Sequence, residues 1–166
     1  MKDKLVEIKG VVVIILTTLN IYITNVFGAL SPLLYITILA MIADLVTRIY
    51  AASRRTDEKV QSKLIGKGLY KKFGLCLLIV LALMVDFGLK LIATQLGINI
   101  AIKIIFTALV LAWIFIRELI SNLENLQHAG IELPKFLVKA LNLAKDKVDE
   151  VGDGIINKEV QHDKIE

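Results

Sequence analysis

Residues 10–43, GVVVIILTTLNIYITNVFGALSPLLYITILAMIA, run for 34 positions without a charge. As one α-helix this stretch would extend roughly 50 Å at about 1.5 Å per residue, well beyond a hydrocarbon core of about 30 Å. A bilayer therefore requires it to fold back on itself. Gly28, Ser31 and Pro32 mark the reversal. Ser31 is suited to cap a helix whose first position is Pro32, where the missing N–H does no harm. The reading gives one span over about residues 10–27 and a second over about residues 32–52.

Charge is distributed around such spans. Eighteen of the twenty Lys and Arg residues lie before Gly10, between Arg48 and Lys72, or from Arg117 onward. Ions and unpaired peptide groups are expensive in hydrocarbon, so charged blocks alternating with apolar runs describe a polytopic membrane protein. The 166-residue chain is 56% hydrophobic but only 7% aromatic, and its mean hydropathy is +0.69. A soluble domain would interleave its apolar residues, whereas here they are clustered. A third stretch runs from Phe73 to about Thr94, interrupted by Asp86 and Lys90. Its eleven Leu, Ile, Val and Phe residues up to Leu89 each favour insertion by roughly 0.3–0.6 kcal/mol, against roughly 2.5–3.5 kcal/mol for one central Asp. The span survives that Asp. Gln95, Gly97 and Asn99 form a polar break, and residues 98–116, with Lys103 near the start, make a fourth stretch. The predicted fold class is all-α: about four transmembrane helices, a basic amphipathic loop helix and a C-terminal amphipathic helix.

Orientation follows from Lys and Arg in short loops, which stay on the cytoplasmic side. Four spans put the N-terminus, the Arg48–Lys72 segment and the C-terminal tail in the cytoplasm. Residues 24–31 and 95–99 become short external turns without Lys or Arg. Lys90 and Lys103 flank the second turn and are expected to snorkel to the outer headgroups; alternatively Lys90 pairs with Asp86, one helical turn away. The organisation expected is a cytoplasmic N-terminus (1–9), a transmembrane region (10–119) with a basic loop (53–72), a cytoplasmic amphipathic segment (120–151) and a flexible tail (152–166). A cleaved signal peptide fits poorly, because Asp3 and Glu7 sit among the leading lysines and no small-x-small site follows. Cys76 is the sole cysteine and forms no internal disulfide.

Within the basic loop, Lys59, Lys63, Lys67 and Lys71 recur every four residues, while Val60, Leu64, Ile65 and Leu69 line the neighbouring face. Arg54, Arg55 and Lys72 extend the positive face. This is the pattern of a helix lying on a membrane, where each charge near an anionic leaflet contributes roughly 1 kcal/mol. Gly66 and Gly68 are a place where it could break. No aromatic platform interleaves the lysines, so nucleic acid is not an expected partner. From Pro134 on, Phe136, Leu137, Ala140, Leu141, Ala144, Val148 and Val151 form an apolar stripe, suited to a membrane interface or an oligomer contact.

No constellation points to catalysis. His128 and His162 lie far apart without the spacing of a zinc site, and no glycine loop cradles phosphate. Ser62 and Ser121 lack a histidine placed to activate them. Neither enzyme activity nor a cofactor or metal is expected. What stands out is a set of polar groups in or beside the spans, which usually face a bundle interior or water. Asp44, Asp86, Glu118, Ser121, Glu124 and Asn125 are the candidate pore or oligomer contacts. Asp44 has Arg48 four residues on as a possible partner. Glu118, Ser121 and Asn125 share one helical face, suited to capping a helix bundle or to contact between subunits.

The string Arg117-Glu118-Leu119-Ile120-Ser121-Asn122-Leu123-Glu124-Asn125-Leu126, followed by Gly130, Leu133-Pro134 and the Phe136-Leu137…Ala140-Leu141 helix, resembles the C-terminal signature of the toxin-secretion and phage-lysis holin family. Ala43-Asp44 with Ala51-Ala52, and Ser62-Lys63…Gly66…Gly68-Leu69…Lys71-Lys72 leading to a span that ends near Asp86, agree in order. The resemblance covers about residues 39–143. Thr47-Arg48 stands where members usually carry a small pair such as Thr-Gly, and the family is often drawn with three spans. The resemblance implies a multi-pass protein of the bacterial cytoplasmic membrane that forms homo-oligomers in the bilayer and opens a lesion, releasing an endolysin or toxin. An antiholin is the nearest alternative. A membrane anchor or scaffold for a cytosolic partner, or a small transporter subunit, would be further ones.

Overall fold

A helix of apolar residues has no reason to end inside a charge-free run unless a residue without a side chain lets the backbone turn. Gly28, at φ 54°, does this in the computed structural model, which describes residues 2–54, 62–98 and 104–162. Helix α1 covers Lys2–Phe27, a single 3-10 turn covers Gly28–Leu30, and α2 covers Ser31–Arg54. Then follow α3 (Ser62–Gln95), α4 (Ile105–His128) and α5 (Lys135–His162). The described residues contain no strand. The chain divides into two compact units, Met1–Tyr35 and Ile36–Glu166.

In the first unit the reversal is fixed by a hydrogen bond. The Tyr35 hydroxyl donates to Asn20 Oδ1 at 2.5 Å. In an unbroken helix these residues would lie about 22 Å apart, so the chain folds back between them. Ser31 acts differently from the expected cap. Its backbone is already helical, and its hydroxyl donates backward to the Gly28 carbonyl at 2.9 Å, closing the 3-10 turn. Three stretches are long and apolar enough to cross a membrane: Val6–Arg54, Gly68–Gln95 and Ile105–His128. The first, at 49 residues, contains the Gly28 reversal.

In the second unit, α3 is one uninterrupted helix through Gly66 and Gly68, so no break separates a loop helix from the span. Among the residues whose side chains are described, its buried positions are Gly68, Lys72, Leu75, Ile79, Ala82, Asp86 and Ala93. Steps of four and three residues of this kind keep one seam facing a partner helix. The opposite faces carry Leu77, Val80, Leu81, Met84 and Ile92, all exposed, as suits contact with lipid. Helix α4 is buried along Thr107, Leu111, Ile114, Glu118 and Asn122. Leu111 and Ile114 are completely enclosed.

Helix α4 does not occupy the expected residues 98–116; it begins at Ile105 and continues to His128. Its end has a chemical cause. Gly130 takes φ 87°, the Ile131 N–H reaches the Leu126 carbonyl at 3.1 Å, and the Gly130 N–H reaches the Gln127 carbonyl at 3.0 Å. This paired arrangement is a Schellman stop, and Pro134 then precedes the next helix. Helix α5 continues past Gly152 and Gly154 to His162, where a flexible tail was expected from residue 152. Its half-buried described positions are Val138, Leu141, Ala144, Lys145, Val148 and Gly152. Of the expected apolar stripe, Phe136, Leu137, Ala140 and Val151 are exposed instead.

Candidate functional site

Lys72 stands one residue beyond the lysine stripe, and one residue turns a helix by about 100°. That rotation takes its side chain off the surface and into the α3 seam. It is 7% exposed, whereas the adjacent Lys71 is exposed. Its ammonium lies 2.7 Å from Asp44 Oδ2 on α2 and forms a second ion pair with Glu118 Oε2 on α4. Asp44 and Glu118 are each 4% exposed. Lys72, expected on the membrane-surface basic face, is thus a buried cation joining three helices. Arg48, the expected partner of Asp44, lies against α3, its Nη1 3.4 Å from where a Gly68 side chain would begin.

A chain of neutral groups extends the ion cluster. Asn125 donates to Asp44 Oδ1 at 3.0 Å and to Thr47 Oγ1 at 3.1 Å. Thr47 donates to Asn122 Oδ1 at 3.1 Å, and Asn122 donates to the Ala40 and Glu118 carbonyls at 3.0 and 2.7 Å. Ser121 stands beside the Asp44 carboxylate. Among the described residues, no buried side-chain nitrogen or oxygen is without a partner. Such completeness is what a polar cluster needs in a medium that offers no water. The signature string therefore forms the inner face of the second half of α4, and its Glu118, Ser121, Asn122 and Asn125 belong to one bundle interior. Glu124 is exposed and takes no part.

Asp86 marks the other end of the α3–α4 seam. It is 5% exposed and accepts hydrogen bonds from the Phe106 and Thr107 backbone N–H groups at 3.0 and 2.7 Å, and from the Thr107 hydroxyl at 2.6 Å. The first N–H groups of a helix have no intrahelical acceptor, and its N-terminus carries partial positive charge. Asp86 meets both needs from another helix. Lys90 is not its partner; that lysine is exposed. With Lys72 facing Glu118 and Asp86 facing Thr107, α3 and α4 are antiparallel.

The remaining basic residues divide. Arg54 is exposed and stacks over the Tyr50 ring at 5.5 Å. Arg55 and Lys59 lie outside the described residues, as do Lys103 and the side chains of Lys63 and Lys67, whose backbone forms the start of α3. Sequence reasoning missed Thr47 and Thr107, and did not single out Asn122, although Glu118, Asn122 and Asn125 repeat at helical spacing. Thr107 carried no signal, because the start of α4 was placed too early.

Among the described residues, no group of three His, Cys, Asp or Glu side chains is placed to hold a metal. The cluster can tie helices together and keep charge inside a membrane bundle. Fold and site thus define a polytopic helical membrane protein with an ionic core. Residues 21–146 match the bacteriophage holin family, and the chain belongs to that family. No curated protein and no solved structure matches it.

Proposed function

We propose that the chain is a holin: a non-enzymatic protein that permeabilises the bacterial cytoplasmic membrane as a homo-oligomer and lets an endolysin or toxin leave. The observation that carries this reading is the family match over residues 21–146. Supporting it, the exposed side chains of α1 and α3 are dominated by large apolar residues suited to lipid or to a second copy, while Asp44, Lys72, Asp86 and Glu118 are buried.

Four crossings are favoured over three by the Asn20–Tyr35 bond, since α1 and α2, at 26 and 24 residues, are each long enough to span. The basic residues near the N-terminus, at 54–72 and at the start of α5 (Lys135 and Lys139) then mark the cytoplasmic side. Tyr50 with Arg54, and Tyr70 beside Lys71, suit that interface. With Asp44, Asp86, Glu118, Ser121 and Asn125 engaged inside one protomer, Glu124 is the residue of the signature free to meet another copy.

Inducible expression in a bacterium carrying a cytosolic endolysin tests the proposal. Depolarisation followed by lysis is expected. A membrane that stays polarised with no lysis would contradict it, and suppression of a coexpressed holin would identify an antiholin instead.

A further inference from the structure

Helix α5 doubles back along α4. Val148, Asp149, Gly152 and Asp153 line a cavity of about 530 Å³ with Leu78 of α3 and Leu109, Val110 and Trp113 of α4. Those α3 and α4 residues belong to stretches long and apolar enough to cross a membrane. Leu109 lies nine residues from Glu118, about 13 Å along the helix axis. From residue 106 to residue 123, α4 exposes no side chain, and α5 supplies cover around Leu109 and Trp113. At this depth α5 is charged both on the side away from α4 and at the rim of the cavity. Asp146, Lys147, Asp149, Glu150 and Asp153 are all exposed, five ionic groups within eight residues. Hydrocarbon does not accommodate such a face, and ionisable groups at this depth face water or one another. Lys147 pairs with Glu150 of its own helix, at 2.5 Å.

We propose that this face of α5 lines the water-filled path through the assembled protein and makes its surroundings attractive to cations. The proposal rests on the permeabilising function above and names the surface that performs it. Four carboxylates and one ammonium leave a net charge of −3 per protomer (−4 + 1). Rings of Asp and Glu are the usual means by which a pore concentrates cations. Helix α5, 28 residues or about 42 Å long, enters the depth of the bilayer from the α4–α5 connection. Its C-terminal end is then carried along the path rather than held as a cytoplasmic tail, which departs from the topology expected from sequence.

The test is ion selectivity of the full chain in planar bilayers of anionic lipid, with potassium chloride at low and unequal concentrations. Permeability to potassium above that to chloride is expected. In a Cys76→Ala background, Glu150→Cys treated with a trimethylammonium methanethiosulfonate should lower the potassium-to-chloride ratio several-fold, and Met84→Cys, on the exposed face of α3, should not respond. Asp149→Asn with Glu150→Gln, which needs no reagent, should lower the ratio in the same direction. A conductance whose ion preference ignores both changes would overturn the assignment of α5 while leaving permeabilisation intact. Absence of any conductance from the unmodified chain would overturn both.

Discussion

The Lys72 ammonium lies 2.7 Å from the Asp44 carboxylate, 28 residues away on a different helix, and the same ammonium also pairs with Glu118 on a third. One cation thus serves two carboxylates that would otherwise repel in a medium of low dielectric. Isolated charges at these sites would be costly to bury, but their mutual attraction and the surrounding Asn, Ser and Thr groups offset that penalty. Asp44, Glu118 and Asn125 are therefore parts of a fastening between α2, α3 and α4.

Asn122 and Glu124 separate the internal and external parts of the signature. Asn122→Leu removes donors to the Ala40 and Glu118 carbonyls and an acceptor from Thr47. A loss of about 1–3 kcal/mol in reversible unfolding in bicelles is expected. Glu124→Gln should leave that stability unchanged, because the side chain is exposed.

Asp86 predicts a local effect at the start of α4. Asp86→Ala strands the Phe106 and Thr107 N–H groups, at a cost of about 1–3 kcal/mol. Asp86→Asn keeps one acceptor but loses the charge facing the helix N-terminus and should fall between wild type and Ala. Hydrogen exchange at the Phe106 and Thr107 amides checks this: both should exchange faster in the Ala variant, with residues near Glu118 little changed.

Gly68 is where α2 and α3 approach most tightly among the described glycines. A Cβ there would come 3.0 Å from Leu45 Cδ2 and 3.4 Å from Arg48 Nη1. Gly68→Ala sets a helix-propensity gain of up to about 1 kcal/mol against crowding that the end of the Leu45 side chain can relieve, so little net change is expected. Gly68→Val adds bulk that the contact cannot absorb and should lose about 1–3 kcal/mol in thermal unfolding.

Trp113, the one tryptophan, reports on the α4–α5 contact. Arg117 lies over its ring at 4.9 Å. With α5 covering this side of α4, lipids brominated in the acyl chain should quench Trp113 fluorescence weakly. Leu141→Lys with Val148→Lys should pry α5 away and raise the quenching. Equal quenching in both proteins would mean that α5 does not lie against α4 in a bilayer.

Much of the architecture was legible because hydrocarbon imposes simple rules. A charge-free run of 34 residues must turn, and Gly28 is the residue that turns it. The position of α4 was not legible: its apolar run contains no start signal of its own, and Asp86, on another helix, supplies the cap. Lys72 was assigned to the surface because it adjoins a four-residue lysine repeat. The 4-3 spacing that links Lys72 to Leu75, Ile79, Ala82 and Asp86 was present in the chain, but two ionic members disguise a buried seam when only apolar residues are counted. The Gly130 and Leu133-Pro134 elements of the signature acquire their reason only from the helix stop they form.

The role of Lys72 is tested most directly by unfolding free energies in bicelles for four proteins: wild type, Lys72→Met, Asp44→Asn with Glu118→Gln, and all three changes together. Lys72→Met alone leaves two carboxylates buried without their cation and should lose about 3–5 kcal/mol. Neutralising the carboxylates as well should recover most of that loss. An unchanged Lys72→Met protein, or a triple variant whose loss is simply the sum of its parts, would contradict a lysine that fastens three helices.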